Sequence, residues 1–195
     1  MNQDGRSFRL AVPPVYDKSS VNSPTLATDF LQHSRDQMTA KKVFSLVFVR
    51  NASEILLGMK KRGFGQGKWN GFGGKIEPGE TIPEGAVREL QEECGLIAKE
   101  LKNVGLLEFK FEGDPTLLEV HVFETHEYHG SVIESEEMLP KWYNLKNIPF
   151  KNMWLDDEHW FPYMLRGEFF KGHFLYRGED LILKYNIQVL DKLSE

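Results

Sequence analysis

The chain has 195 residues, of which 41% are hydrophobic, enough for one domain with a full core. Its 24 Lys and Arg against 29 Asp and Glu give a net charge of −5, which argues against a surface that coats DNA or RNA and excludes duplex nucleic acid as an expected partner. Cys94 is the one cysteine, so an internal disulfide is excluded and a reducing cytosol suits the chain; no apolar run approaches membrane-spanning length, so no membrane is expected.

Residues 1–41 contain Pro13-Pro14, Ser19-Ser20 and Pro24 among scattered polar residues. They show no sustained periodicity and are expected to form a disordered extension before a folded domain over 42–195. Arg6, Arg9 and Arg35 resemble part of an organellar presequence, but Asp4, Asp17, Asp29 and Asp36 argue against one. A cytoplasmic location is therefore expected, with a mitochondrial or nuclear pool as the alternative. Nothing signals oligomerisation, and a monomer is the default.

Residues 43–50 form a β-branched and aromatic run that predicts a buried strand, and 55–60 predicts its partner. A glycine-rich loop over 61–74 leads into a predicted helix over 82–94. Thr81 and Glu84 have the spacing of a capping box, Pro83 falls in the first turn, and Gly95 stands where a glycine stops a helix. Strands over 104–112 and 118–127 flank the turn Gly113-Asp114-Pro115, which predicts a hairpin. A further strand is expected near 142–145. Asp156 or Asp157 would cap a second helix reaching about Arg166, with Pro162 bending it. Strands over 170–177 and 181–189 predict a last hairpin around Gly178. Mixed strands with two helices predict an α/β fold in which helices cover a sheet.

The first helix carries the chemistry. Glu89, Glu92 and Glu93 stand at i, i+3 and i+4, so their carboxylates share one face. Three such charges repel unless a cation compensates, and carboxylate oxygens suit Mg²⁺, or Mn²⁺ in its place. Arg88 is expected to point away from that face and to pair with Glu80. Gly73 and Gly74 let the backbone approach an ion, so a glycine carbonyl is a candidate further ligand. The implied reaction is metal-assisted attack of water on a diphosphate. Cys94 reads as a packed small residue rather than a nucleophile.

Gly74, Glu80, Arg88-Glu89-Leu90-Gln91-Glu92-Glu93 and Gly95-Leu96 match the Nudix box at every defining position. The chain is thereby identified as a member of the Nudix hydrolase superfamily, which implies an α/β/α sandwich with a mixed sheet and two main helices. Flanking segments narrow the resemblance. Residues 56–65 (LLGMKKRGFG), 69–75 (WNGFGGK), 120–123 (VHVF), 134–138 (ESEEM), 148–154 (IPFKNMW), Asp156-Asp157 and Trp160-Phe161-Pro162 resemble the animal MutT homologues. That family hydrolyses oxidised purine nucleoside triphosphates, of the 8-oxo-dGTP and 2-hydroxy-dATP type, to the monophosphate and pyrophosphate, which cleanses the nucleotide pool.

The resemblance runs from about residue 42 to the C-terminus. It implies that Glu89, Glu92, Glu93 and Glu137, with the Gly73 carbonyl, hold the metal. Glu93 would be the most sensitive position, and which glutamate acts as base stays open. For the nucleotide it points to Ser45, Lys60, Asn70, Phe72, Gly73, Gly74, Lys75, Trp154, Leu155, Asp156 and Asp157. Asn70 offers a donor and an acceptor, and Trp154 a face for stacking. Phe64, Phe109 and Phe111 are candidate pocket walls. Two adjacent carboxylates do not easily both ionise, so Asp156 and Asp157 would share a proton and accept more than one purine edge. Ser45 and Leu118 depart from the threonine and methionine common in relatives, which would shift base preference modestly. A broader pyrophosphatase and a non-catalytic nucleotide-binding module are the alternatives; the intact box glutamates disfavour the second.

Overall fold

A computed structural model describes residues 40–193. An eight-stranded mixed sheet is built from β1 (Ala40–Arg50), β2 (Glu54–Lys60), β3 (Trp69–Asn70), β5 (Lys102–Phe111), β6 (Thr116–Thr125), β8 (Met138–Asn144), β9 (Phe169–Arg177) and β10 (Leu181–Leu190). β4 (Leu96–Ala98) and β7 (Tyr128–Gly130) pair separately. The helices are α1 (Ile82–Cys94) and α2 (Asp157–Leu165). Strand order in the large sheet is β10-β9-β5-β6-β1-β2-β3, with β8 on β2; β1/β6 and β5/β9 are parallel.

Period-2 alternation along β1 and β2 sorts the core into two layers. Val47, Val49 and Leu56 pack with Ala86, Leu90 and Cys94 of α1 on one face. Phe48, Ile55 and Leu57 pack with Trp160, Phe161 and Met164 of α2 on the other. Fully burying each such side chain contributes about 1.5–3 kcal/mol, so both helices are held by the same two central strands. This is the expected α/β/α sandwich with two main helices.

The predicted caps are present. Thr81 Oγ1 accepts the Glu84 N–H at 3.4 Å, and the Glu84 carboxylate accepts the Thr81 N–H at 2.7 Å. Gly95 adopts φ 77° and returns its N–H to Gln91. The predicted hairpins at 113–115 and around Gly178 join antiparallel pairs. Differences lie at edges and in short pieces. β1 starts at Ala40, where it already pairs with Thr116, inside the segment allotted to the extension; residues 1–39 lie outside the described ones. β3, β4 and β7 span two or three residues each, too short for periodicity to reveal.

One departure from regular pairing positions the site. β2 follows β1 only through Val49↔Leu56 and Arg50↔Ile55. Beyond that, residues 72–76 take the vacated edge: Gly74 O accepts from Ser45 N at 2.9 Å, and Phe72 N donates to Val47 O at 2.9 Å. The Gly73-Gly74 segment is thus fixed between β1 and α1.

Candidate active site

The carboxylates of α1 open onto a cavity of about 510 Å³ lined by Gly73, Gly74, Glu89, Glu92, Glu93, Glu137 and Lys60. Helix spacing brings the three box glutamates to it, as expected, and the β2–β8 register brings Glu137 beside Lys60. Glu93 is buried and accepts the Gly73 N–H at 2.9 Å. Burial pushes its carboxyl up to about 6, although Gly73 and Lys60 pull the other way. Lys60 Nζ bridges Glu137 at 2.8 Å and Glu93 at 3.2 Å. Burial lowers the affinity of that ammonium for its proton, yet the two carboxylates more than offset this and leave its pKa raised.

Arg88 corrects the sequence reading. It does form the expected pair with Glu80, at 2.7 and 3.0 Å, and its hydrogen bonds hold the Glu80 carboxyl down to about 2. It does not point away from the acidic face: Nη1 also donates to Glu89 at 2.8 Å and to Glu92 at 3.3 Å. A long guanidinium with five donors reaches both directions at once. Lys60 and Arg88 thus neutralise the cluster, and among the described residues no three carboxylates, imidazoles or thiolates converge within metal-binding reach as they stand. The donors nonetheless fit a hard divalent cation, being all oxygen. The glycine wall is also cut close: a Cβ on Gly74 would lie 2.5 Å from Glu89 Oε1.

A second cavity of about 580 Å³ shares Gly73, Gly74, Lys60 and Glu137 with the first. Its walls include Phe109 and Phe111 of β5, Leu118 and Val120 of β6, and Asn70. Phe64 and Trp154 meet at its rim, ring centroids 4.8 Å apart and tilted 31°, with Lys68 Nζ 4.9 Å from the Trp154 ring. Asp156 and Asp157, both buried, also line it. Burial raises both carboxyls above the usual range, Asp157 well above it because the Asp156 charge lies beside it.

Neither aspartate simply caps α2. Asp156 occupies the N-cap position but makes no side-chain cap bond. Its carboxylate accepts from Trp160 Nε1 at 2.8 Å and from the Tyr176 hydroxyl at 2.6 Å instead. Asp157 accepts the Trp154 N–H at 2.9 Å. Ser45 and Asn70 border the cavity as expected; the Ser45 Oγ is buried with no hydrogen-bond partner among the described residues, and Asn70 Oδ1 accepts from Gly71 N.

Three expected nucleotide contacts lie elsewhere. Phe72 is fully buried in the α1-side core, because the bridge to Val47 turns its ring under the helix. Lys75 is exposed and gives its carbonyl to Arg88, and Leu155 is 44% exposed; neither borders either cavity. Tyr176, Trp160, Lys68 and Arg62 border the pocket without having been foreseen as site residues. The segments that carried the family resemblance touched two of them, Arg62 within residues 56–65 and Trp160 within Trp160-Phe161-Pro162. Cys94 is buried, its thiol pushed up to about 12 by burial, which bears out a packing role.

A glutamate-bearing helix after a glycine loop, set against a mixed sheet sandwiched by two helices, is the arrangement of a Nudix domain, and the NUDIX domain family matches residues 40–164. The chain belongs to the Nudix family. It is 49% identical over 154 residues to the oxidized purine nucleoside triphosphate hydrolase of Mus musculus, a match covering 79% of this chain and 99% of that protein. The protein of the same name from Danio rerio is 46% identical over 156 residues, covering 80% and 100%. Among solved structures, the MutT protein of Bacillus halodurans aligns with a TM-score of 0.68 at 26% identity, over 75% of this chain and 97% of that one.

Proposed function

We propose that this chain hydrolyses oxidised purine nucleoside triphosphates, of the 8-oxo-dGTP and 2-hydroxy-dATP type, to the monophosphate and pyrophosphate with Mg²⁺. The observation that carries this is the junction of two cavities across one wall. The larger pocket is lined by the buried Asp156–Asp157 pair and shares Gly73, Gly74, Lys60 and Glu137 with the glutamate-lined cavity. A base held at one end leaves its phosphates at the other. A match that runs over 99% of the mouse hydrolase and 100% of the zebrafish one, at 49% and 46% identity, supports the same substrate class.

Nudix hydrolases generally need a divalent metal. Glu89, Glu92, Glu93 and Glu137 with the Gly73 carbonyl would hold it here, and when bound it supplies neutralisation of phosphate charge and activation of water. The chain's own residues do the rest. Trp154 and Phe64 present flat faces to the base, Asn70 offers a donor and an acceptor, and the aspartates read its polar edge. Lys60, freed from its carboxylates, offers an ammonium to the phosphates at the shared wall. Arg88 keeps Glu80 and the loop fixed against α1.

Pyrophosphate release from 8-oxo-dGTP and from dGTP with Mg²⁺ tests the reading, with Glu93→Gln as control. Strong preference for the oxidised base, lost in the variant, is expected. Equal turnover of both nucleotides would leave diphosphate chemistry but sink the proposed substrate class.

A further inference from the structure

Glu137 is the one carboxylate of the metal set that does not stand on α1. It ends an irregular segment, 131–137, just before β8. Lys60 Nζ donates to its Oε2 at 2.8 Å, and Arg62 Nη2 to its Oε1 at 3.1 Å. These cations sit on the oxygens that a metal would take, so they cannot be what aims the side chain at a bound ion. Its direction is set by the main chain instead. Ser135 shapes a turn there: its Oγ accepts the N–H of Met138 at 3.0 Å and of Glu137 at 3.3 Å, and its own N–H donates to the Met138 carbonyl at 3.0 Å.

Two residues anchor that turn. Met138, 4% exposed, is packed into the α1-side core. Lys61 holds the rest: its N–H donates to the Glu137 carbonyl at 2.7 Å, and its Nζ to the Ser135 carbonyl at 2.8 Å and to Glu134 Oε1 at 2.7 Å. Successive side chains of an extended segment point to opposite sides. Lys60 and Arg62 thus reach the Glu137 carboxylate, while Lys61 reaches the backbone that carries it. We infer that Lys61 is a positioning residue for the metal centre: by clasping the turn 134–137 it keeps the Glu137 carboxylate directed into the cavity of Glu89, Glu92 and Glu93, without itself touching metal or substrate. The inference rests on the proposed reading of Glu137 as a metal ligand. Groups that orient a ligand typically change metal affinity by about 10- to 100-fold when removed. Of the two side-chain contacts, the Ser135 carbonyl matters more, because Glu134 is 53% exposed and an ion pair in water is worth little.

The charge of Lys61 and its clasp make opposite predictions. An ammonium beside an acidic cavity repels a cation, so removing its charge alone should tighten metal binding. Removing the clasp should weaken it. Mn²⁺ binding to the metal-free full chain, measured by titration calorimetry without nucleotide, separates the two. In Lys61→Met, which keeps the aliphatic stem, the dissociation constant should rise about tenfold or more. Lys61→Arg keeps donors able to reach the Ser135 carbonyl, and should stay within about threefold of the native value. Glu134→Gln breaks only the exposed pair and should also stay within about threefold. Hydrogen exchange in the metal-free chain gives the second readout: the Glu137 and Met138 amides should exchange about 3- to 10-fold faster in Lys61→Met and at the native rate in Lys61→Arg.

Unchanged or tighter Mn²⁺ binding in Lys61→Met would overturn the inference. So would unchanged exchange at the two amides, or a loss of affinity that Lys61→Arg fails to restore. Glu137→Gln is the control. Native Mn²⁺ affinity in that variant would remove Glu137 from the metal set, and the role of Lys61 with it. Weakened binding in Glu137→Gln beside native affinity in Lys61→Met would overturn the role of Lys61 alone. No nucleotide enters either measurement, so the substrate class is decided separately by turnover.

Discussion

The molecule holds two sets of crowded carboxylates and treats them in opposite ways. Around α1, Glu89 and Glu92 meet Arg88, while Glu93 of the helix and Glu137, just before β8, meet Lys60. At the start of α2, Asp156 and Asp157 meet neutral donors: a phenol, an indole and a backbone N–H. Flexible cationic side chains can be exchanged for another cation at modest cost, because both states are ionised. Rigid neutral donors around buried acids leave the acids to settle their repulsion by sharing a proton. On the proposed function, one cluster swaps cations and the other holds a proton, although the side chains differ by a single methylene.

Substitutions can break this contrast, the largest effect first. Glu93→Gln removes charge but not volume from the cation-exchanging set, and kcat/KM for 8-oxo-dGTP should fall by about 10²–10⁴-fold in a pyrophosphate-release assay. Trp154→Ala strips the stacking face from the pocket while sparing both acid sets. Loss of about 1–3 kcal/mol of base stacking should raise KM roughly 5- to 150-fold and change kcat little; a fall confined to kcat would contradict a binding role.

The pH dependence of stability should have opposite signs at the two sites. Glu80, held at about 2 by Arg88, contributes stability that is present above its unfolded value and lost as pH falls toward 2. Asp157, raised well above the usual range by burial and by Asp156, contributes stability that is present below its unfolded value and lost as pH rises through the raised one. In thermal melts of the metal-free chain, Glu80→Gln should flatten the fall below the ordinary carboxylate range, and Asp157→Asn the fall that begins above the ordinary aspartate value. Parallel profiles in the two variants would show that the contrast is absent. The smallest effect belongs to the cap that sets α1: Thr81→Ala should cost about 1 kcal/mol, seen as a melting point lower by about 2–4 °C.

Sequence alone revealed the first set far better than the second. Helical spacing converts directly into a shared face, and Thr81, Glu84 and Gly95 mark both ends of α1, so the glutamates were legible with their geometry. Arg88 was half legible: spacing gives the direction of a Cα–Cβ bond, not the reach of a long side chain. Phe72 and Lys75 came in with the neighbours of a motif, and only the strand-edge pairing of 72–76 decides that one ring goes to the core and one amine to solvent. Tyr176 was invisible as a site residue because alternation along β9 gives its face but not the partner 20 positions away.

The glycines between the two cavities bear on how such a site can diversify. A methyl on Gly73 would sit 2.1 Å from the Ser45 carbonyl oxygen, and one on Gly74 within 2.5 Å of Glu89. At Gly73 no side chain enters without moving β1, whereas at Gly74 the Glu89 carboxylate would have to give way. Phe64, by contrast, is 62% exposed at the pocket rim, where its neighbours are the side chains of Trp154 and Phe111 rather than backbone. Substitutions in a molecule of this shape are therefore accommodated more readily at the mouth of the pocket than at Gly73 in its dividing wall.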